Sequence, residues 1–343
     1  MAKILVIRLS AIGDVAMTVP VLYAAAKANP EHTFVVLTQA FLIPVFINRP
    51  DNVEVTGISI TGAEKSFRGL FRFAWAFSAF DFDIALDLHN VIRTMIIRTL
   101  FRLKGKKVFV VNKARKDRRR LTARKNKALK PIRPVIERYA DVFKAAGLHY
   151  TDTFHSLFDE RPANLSSLTE TVCPKTGKWI GIAPFAKHKG KIYPLDMMKQ
   201  IVEALSERAD YTLFLLGAKG CEEQILQQWA RQLPRVNMIV GRYTLDKELA
   251  LISRLDLLLC MDSANMHFAS LAGTRVLSVW GATHPYAGFY GYRQKAEDAI
   301  QLELACRPCS IFGEKPCFRG DWACLKQLHP QLIINKIKEI LSA

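Results

Sequence analysis

The first 22 residues read MAKILVIRLSAIGDVAMTVPVL, and this stretch sets a pattern that recurs along the chain. The apolar run Ile4–Arg8 predicts a buried strand, and the residues from Val15 to Ala28 predict a helix. The loop between them places Gly13 directly before Asp14. A carboxylate here either caps the helix by accepting backbone N–H bonds or acts on a bound substrate, and the rest of the chain must decide between the two.

Strand-like and helix-like runs alternate through both halves of the chain. In the first half, further strands are predicted at 33–38, 53–58, 84–87 and 107–111, and further helices at 39–48, 66–79, 92–102 and 135–146. In the second half, strands are predicted at 179–183, 211–216, 236–240, 257–261 and 275–280, and helices at 195–208, 221–231, 246–253, 263–272 and 330–341. Such alternation is typical of α/β folds with parallel sheets and right-handed crossovers.

The length of 343 residues suits two domains better than one. The pattern predicts a Rossmann-like N-terminal domain over residues 1–160 and a Rossmann-like C-terminal domain over 179–328. Residues 161–178 are predicted to be a linker, and 329–343 a C-terminal amphipathic helix. We expect a cleft between the two domains, with ligands bound beyond the carboxyl ends of the strands.

The formal net charge of +18 predicts an anionic partner, such as a nucleic acid, an acidic membrane surface or a phosphorylated substrate. Much of the excess lies in residues 113–138, KARKDRRRLTARKNKALKPIRPVIER, a run that also fits a mobile, solvated loop. The run has no interleaved aromatic residues and no nucleic-acid-binding signature accompanies it, so we expect no nucleic-acid partner. An acidic membrane surface or glycolipid fits better.

A strong chemical signal lies at residues 260–274, CMDSANMHFASLAGT, where a buried strand ends and a helix begins. The free N–H groups and positive dipole end of that helix form a natural phosphate site. The candidate ligands of a nucleotide are Asp262, Ser263, Ala264 and His267. The alternative is that the first two residues only cap the helix and the histidine is packed in the core.

Two other strand-to-helix loops carry candidate ligands of the same nucleotide. Residues 183–194, APFAKHKGKIYP, place Lys191 where it can neutralise a diphosphate, although a solvated lysine cluster gives the same pattern. Residues 216–223, LGAKGCEE, contribute Gly217, which permits close approach of a ligand, and Glu222, which can accept from ribose hydroxyls. Acidic residues in the first turn of a helix are common for other reasons.

Four of these motifs together resemble the ADP-heptose:lipopolysaccharide heptosyltransferases of glycosyltransferase family 9, which have the GT-B fold. The motifs are GDV at 13–15, Lys-x-Tyr-Pro at 191–194, LGA at 216–218 and Asp-Ser-x-x-x-His at 262–267. The resemblance runs from Lys3 to about Leu328. Family members usually have Thr-Gly where this chain has Ser263 and Ala264, which predicts less backbone freedom in the phosphate loop.

The resemblance implies an inverting transfer in which Asp14 is the general base that takes the proton of the acceptor hydroxyl. It implies that the N-terminal domain binds an acidic lipopolysaccharide inner-core acceptor and the C-terminal domain binds the ADP-sugar. The candidate acceptor-binding residues are Gly13, Lys65, His89, Arg93, Arg119 and Arg120. Ordinary surface bases give the same pattern for each cation taken singly.

Four of the seven cysteines fall near the C-terminus, at Cys306, Cys309, Cys317 and Cys324. The spacing C-x2-C-x7-C-x6-C is compatible with a structural zinc site, with reduced thiols in packing roles, or with disulfides. We expect a structural role in each case.

The resulting hypothesis is an inverting glycosyltransferase that moves heptose from ADP-heptose to a Kdo/heptose acceptor. Alternatives are a family 9 relative with another nucleotide sugar or glycan acceptor, a basic nucleic-acid-binding protein, or an inactive binding protein. No run reaches the roughly 18 apolar residues of a membrane span, and no signal peptide is evident. We therefore expect a cytoplasmic monomer peripheral to the inner membrane that needs no cofactor, with a divalent cation left open.

Overall fold

The computed structural model describes residues 1–59, 69, 81–165, 168 and 175–342. These residues form two compact units. The first unit comprises Met1–Ala114 and Arg133–Leu157, and the second comprises Arg115–Ile132 and Phe158–Ala343. Among the described residues, no helix combines the length and the apolar character needed to cross a membrane.

The first unit is built on a five-stranded parallel sheet in the order β3-β2-β1-β4-β5. The strands are β1 (Lys3–Ile7), β2 (Thr33–Gln39), β3 (Val53–Ile58), β4 (Ile84–Asp87) and β5 (Lys107–Val110). The helices of this unit are α1 (Ile12–Ala16), α2 (Thr18–Ala28), α3 (Ile92–Leu103) and α5 (Val135–Ala145), with a 3-10 helix at Ala40–Phe46. Apolar residues of β1, β2 and α3 form its core.

The second unit is built on a six-stranded parallel sheet in the order β11-β10-β9-β6-β7-β8. The strands are β6 (Lys178–Ala183), β7 (Tyr211–Leu215), β8 (Val236–Met238), β9 (Leu257–Met261), β10 (Val276–Val279) and β11 (Ala299–Ile300). The helices are α4 (Arg115–Leu121), α6 (Leu195–Ser206), α7 (Cys221–Gln232), α8 (Leu245–Ile252), α9 (Ala264–Ala272), α10 (Ala323–Lys326) and α11 (Pro330–Ser342). Short 3-10 helices lie at Lys189–Lys191, Pro285–Ala287 and Ala296–Asp298.

The strand orders locate a ligand crevice in each unit. Chain progression reverses direction across the sheet between β1 and β4 in the first unit and between β6 and β9 in the second. In open parallel sheets, ligands bind at the carboxyl ends of the strands at such a reversal point. The loop that carries Asp14 follows β1, and the loop that carries Asp262 follows β9.

The helix predicted at 15–28 is two helices, because the chain breaks at Met17. Pro20 lacks a backbone N–H and its ring clashes with the preceding turn when it lies inside a helix. The break places Pro20 in the first turn of α2, where no hydrogen bond from its nitrogen is needed. The predicted helix at 66–79 lies outside the described residues apart from Gly69.

The basic segment, defined here as Arg115–Ile132, differs from the solvated loop of the N-terminal domain that the sequence predicts. Its first residues form α4, and its contacts group it with the second unit. The guanidinium of Arg118 lies over the rings of Phe289 and Phe312, 4.9 and 5.6 Å from their centroids. Arg124 lies 4.9 Å from the ring of Phe318. The N–H of Ile132 also donates to the carbonyl of Tyr286 at 2.8 Å. Contacts of both kinds attach the segment to the second unit.

The C-terminal helix belongs to the core of the second unit. Ile333, Ile334, Ile337 and Ile340 of α11 are buried together with residues of α6 and of the central strands. Burying large aliphatic side chains stabilises a fold by about 1.5–3 kcal/mol each, so this helix is an integral element of the unit.

The buried carboxylate of Asp87 holds the loop after β4 in place. It accepts hydrogen bonds from the backbone N–H groups of His89 (2.9 Å) and Asn90 (2.7 Å) and from the hydroxyl of Thr94 (2.8 Å). It also pairs with the half-buried Arg98 at 3.1 Å. Asp87 is fully buried and is the carboxylate partner of Arg98, whose Nη1 also donates to Oδ1 of Asn90 at 2.9 Å.

We predict that Asp87→Ala destabilises the first unit by about 3–5 kcal/mol, because it leaves the Arg98 charge and two backbone amides without their partner. Urea unfolding followed by circular dichroism measures the loss. The matched control is Asp81→Ala, which removes an exposed ion pair with Lys106 and should change stability little. Equal effects of the two substitutions would contradict this role of Asp87.

Candidate functional site

The loops after β1 and β4 are joined by one arginine. Nη2 of Arg8 lies 2.5 Å from Oδ2 of Asp14, and both side chains are largely buried. Nη1 of the same guanidinium donates to the carbonyl oxygen of Leu88 at 2.6 Å. Arg8 therefore connects the Asp14 loop to the neighbouring strand end and fixes the orientation of the carboxylate.

Asp14 contributes only weakly to a helix cap. It lies in the first turn of α1, and its Oδ2 accepts from the backbone N–H of Ala11 at 3.4 Å. This contact is much longer than the contact with Arg8. Both use Oδ2, and within the described ranges Oδ1 has no hydrogen-bond partner. The arrangement holds the carboxylate in place and leaves one oxygen to accept a proton or a hydrogen bond.

His89 lies beside this loop as a neutral imidazole. Its Nε2 is 3.3 Å from the hydroxyl oxygen of Ser10. Burial, together with the positive charges of Arg8, Lys113 and Arg93, lowers the pKa of His89 to about 3. The ring therefore remains uncharged at neutral pH and serves as a hydrogen-bonding group rather than as a cation.

The first-unit edge has an excess of positive charge around Asp14. Arg138, which is buried, interacts electrostatically with Asp14, and its burial lowers the pKa of its guanidinium. Arg93 is exposed in the first turn of α3. Guanidinium groups in such a place favour a ligand that carries carboxylates or phosphates.

The other predicted acceptor-binding residues are Gly13, Lys65, Arg119 and Arg120. Gly13 lies in α1, and its carbonyl accepts from the N–H of Met17 at 3.0 Å. Lys65 lies outside the described residues. Arg119 and Arg120 are exposed on α4 and group with the second unit, which corrects their predicted place in the N-terminal domain. Cation–π contacts of their neighbours Arg118 and Arg124 and hydrogen bonds of Lys127 join this part of the chain to the second unit.

In the second unit, Lys191 and Asp262 come together at the reversal point of the sheet. Nζ of Lys191 lies 2.8 Å from Oδ2 of Asp262, and both side chains are largely buried. Lys191 ends a short 3-10 helix after β6, whereas Asp262 directly follows β9. Because one ammonium proton engages Asp262, the other two can be donated to a further anionic group.

The start of α9 offers polar groups that the protein itself does not use. Ser263 is the N-cap residue, but its side chain makes no capping bond, and its buried Oγ has no partner in the part of the chain described. Ala264 is the first residue of the helix and has a negative φ. The backbone conformation at this position therefore does not require a glycine.

The remaining predicted nucleotide ligands lie on adjacent elements. His267 is buried one turn into α9. Gly217 follows β7, and a Cβ added there would come within 3.0 Å of Leu226 Cδ1. Oε2 of Glu222 accepts from the N–H of Ala218 at 2.8 Å, so this carboxylate already orders the loop. The predicted contact of Glu222 with a ribose would therefore use its other oxygen, Oε1.

The sequence interpretation did not single out Arg8, which the structure places against Asp14 in the candidate site. The available signal was an ionised side chain at the end of the apolar run ILVIR, where a buried strand gives way to a loop with an aspartate. A buried cation at this point needs an anionic partner, and Asp14 is the nearest one in the sequence.

Comparison with known proteins identifies the family to which the chain is similar. Residues 70–314 match the model of glycosyltransferase family 9 (heptosyltransferase). Lipopolysaccharide heptosyltransferase 3 of Escherichia coli K12 is 22% identical over 281 residues, which cover 79% of this chain and 80% of that protein. Lipooligosaccharide heptosyltransferase 2 of Campylobacter jejuni is 24% identical over 141 residues, so that the match spans 40% of this chain and 43% of that relative.

The fold is shared with a solved structure of E. coli heptosyltransferase WaaC with ADP-2-deoxy-2-fluoro heptose. The TM-score is 0.69 at 16% identity, over 98% of this chain and 99% of that chain. The predicted class, two parallel-sheet α/β domains of the GT-B type, is thereby confirmed. Since the family model also matches more than half of its length, the chain belongs to glycosyltransferase family 9, the heptosyltransferase family, as its motifs predict.

Proposed function

We propose that the protein transfers heptose from ADP-heptose to a lipopolysaccharide inner-core acceptor, with inversion at the anomeric carbon. Family membership and the named activities of the two curated relatives support heptose transfer. The single observation that carries the chemistry is the Arg8–Asp14 pair at the carboxyl end of β1, with Oδ1 left open. The second unit places a lysine and a helix N-terminus at the equivalent position.

In the proposed reaction, Asp14 is the general base. The acceptor hydroxyl forms a bond to the anomeric carbon while its proton passes to Oδ1 of Asp14, and the bond from that carbon to the ADP oxygen breaks. Arg8 holds the carboxylate through Oδ2 so that it does not rotate away. General base catalysis of this kind contributes about a hundredfold to ten-thousandfold in rate.

The second unit is proposed to bind the ADP moiety and to stabilise it as it leaves. The N–H groups at the start of α9 and the hydroxyl of Ser263 are donors for the diphosphate. Lys191, oriented by Asp262, adds a full positive charge. These groups favour the transition state because negative charge accumulates on the leaving diphosphate.

The acceptor is proposed to be acidic. Arg8, Arg93 and Arg138 surround the Asp14 loop with positive charge, and His89 beside it is neutral. A carbohydrate with carboxylates and phosphates, such as the Kdo region of lipopolysaccharide, matches this charge. A neutral acceptor would gain nothing from it.

The donor is tested by calorimetric titration with ADP, GDP and UDP. We predict selective binding of ADP, and an ADP Kd about tenfold to a hundredfold higher in Lys191→Gln, because the variant loses a charged contact to the diphosphate. The matched control, Lys187→Gln, changes an exposed lysine of the same loop and should leave the Kd unchanged.

Preference for GDP or UDP would replace the proposed donor. Equal Kd values in the two lysine variants would remove Lys191 from the diphosphate site.

We also propose that the first unit rests on the cytoplasmic face of the inner membrane while it acts on its acceptor. Ile12, Phe41, Ile92 and Met95 are 37 to 73% exposed, and they follow the adjacent strands β1, β2 and β4. They therefore lie at the same carboxyl edge as Asp14. The exposed Arg93 lies among them, and a lipid surface with anionic headgroups satisfies both kinds of side chain.

We predict that the double variant Phe41→Ser, Ile92→Ser loses most binding to vesicles of phosphatidylglycerol and phosphatidylcholine, measured by co-sedimentation. Both side chains are exposed, so the fold is unaffected and only the apolar contact with the lipid is lost. Leu103→Ser is the control, since Leu103 is 78% exposed at the far end of α3. Equal binding by the double variant and the control would contradict the proposed membrane surface.

A further inference from the structure

The four C-terminal cysteines surround one small cavity in the second unit. Cys306, Cys309, Cys317 and Cys324 all line it, although 18 positions separate the first from the last. None of the four forms a disulfide. The chain thus gathers four reduced thiols at one place, which simple packing of cysteines as small apolar side chains does not require.

Arg307 lies buried between the first two cysteines. It is only 4% exposed, and its guanidinium donates to the carbonyl oxygens of Gly281, Leu302 and Thr283 and to the side chain of Gln301. These partners are neutral. Within the described ranges no carboxylate pairs with Arg307, so the protein buries a positive charge without a visible counter-charge.

A second cation lies on the other side of the same loop. The ammonium group of Lys127, in the basic segment, donates hydrogen bonds to the carbonyl oxygens of Ala305 (3.2 Å), Cys306 (2.8 Å) and Pro308 (3.0 Å). Here too, the described part of the chain supplies no carboxylate partner. Two cations thus converge on the Cys306–Cys309 turn.

The charge balance points to thiolates. A divalent metal ion with four thiolate ligands carries a net charge of minus two, which two neighbouring cations neutralise. Free thiols are neutral and would leave the buried Arg307 without a counter-charge. We propose that Cys306, Cys309, Cys317 and Cys324 bind one zinc ion, forming four Zn–S bonds as four thiol protons are released to solvent.

The thiols must rotate to complete this arrangement. Among the described residues, no group of three His, Cys, Asp or Glu side chains already stands in position for a metal ion. Sγ of Cys309 lies 3.8 Å from the carbonyl of Ala282, and Sγ of Cys317 lies 4.0 Å from Asp321 Oδ1. Such long contacts hold a thiol weakly, and the proposal requires that rotation about the Cα–Cβ bonds bring the four sulfurs together around the metal.

The metal would support the nucleotide site described above. The loop between Cys309 and Cys317 contains Gly313, where an added Cβ would lie 2.7 Å from Cγ of Lys191. The same loop passes close to Gly190, where an added Cβ would lie 2.8 Å from the carbonyl oxygen of Gly313. Fixing the two cysteines therefore fixes the backbone against which Lys191 packs. This link to ADP binding rests on the proposed function, whereas the metal site itself does not.

The test is the metal content of the intact protein, purified under reducing conditions without a metal-affinity column and measured by elemental mass spectrometry. We expect about one zinc per chain in the wild type and in Cys221→Ser, which alters an exposed cysteine of α7. Cys309→Ser and Cys317→Ser should each lose most of the metal. A wild-type protein without metal would overturn the proposal, and one equivalent of iron would overturn the choice of zinc.

A measurement on the wild type guards against misfolded variants. A thiol reagent should find the four cysteines unreactive in the native protein, and four additional thiols should react after a strong chelator removes the metal. The ADP Kd of the chelated protein should rise several-fold and return when zinc is added back. Immediate reaction of all four thiols before chelation would overturn the site. A zinc-bound protein that does not bind ADP would leave the metal site intact and contradict only the proposed donor.

Discussion

Parallel strands begin at the same edge of a sheet, and so their carboxyl ends meet at the opposite edge. The chemistry of this protein depends on that constraint. In each unit the strand order reverses once, between β1 and β4 and between β6 and β9, and an ion pair lies at each reversal point. In the first unit both members of the pair, Arg8 and Asp14, follow β1, and Arg8 reaches the loop after β4 through the carbonyl of Leu88. In the second unit the pair joins the two loops, because Lys191 follows β6 and Asp262 follows β9. The proposed reaction uses the two pairs for opposite purposes.

The two pairs differ in which partner is free to act. Arg8 engages Oδ2 of Asp14 and the carbonyl of Leu88, so the carboxylate keeps an oxygen available to accept a proton. Lys191 engages Asp262 with one ammonium proton and keeps two to donate. The proposed transfer from a sugar nucleotide to a hydroxyl requires a base for the hydroxyl proton and a cation for the diphosphate, and the two units supply one each. The buried Arg307 has only neutral partners among the described residues, and the cysteines around it can supply the anionic group that it lacks.

The strand–helix alternation and the functional edge could be predicted from the sequence because both depend on local pattern. Apolar runs mark β1, β6 and β9, and the polar residues that follow them mark the loops that carry Asp14, Lys191 and Asp262. The family could also be predicted from the sequence, because the order of the four motifs is specific even though each motif is weak alone.

What the sequence did not predict depends on contacts between distant residues. The basic segment groups with the second unit, where the guanidinium of Arg118 lies over Phe289 and Phe312, more than 160 positions away. The partnership of Lys191 with Asp262 and the open hydroxyl of Ser263 likewise arise only when separate strands are brought side by side. The break at Met17 was accessible in principle, since Pro20 is incompatible with the interior of one long helix.

The most direct test of the division of labour between the two units is the isosteric variant Asp14→Asn. Its transfer rate in a single turnover with ADP-heptose and a Kdo-containing lipid A acceptor should fall by about a hundredfold or more, because the amide cannot take the proton. Its Kd for ADP should match that of the wild type, since Asp14 belongs to the first unit and the diphosphate groups to the second. Its thermal midpoint should fall, because the buried Arg8 loses its counter-charge, so the transfer rate is compared at a temperature at which both proteins are folded. Full transfer activity with only a lowered thermal midpoint would return Asp14 to the role of a helix cap and contradict the proposed mechanism.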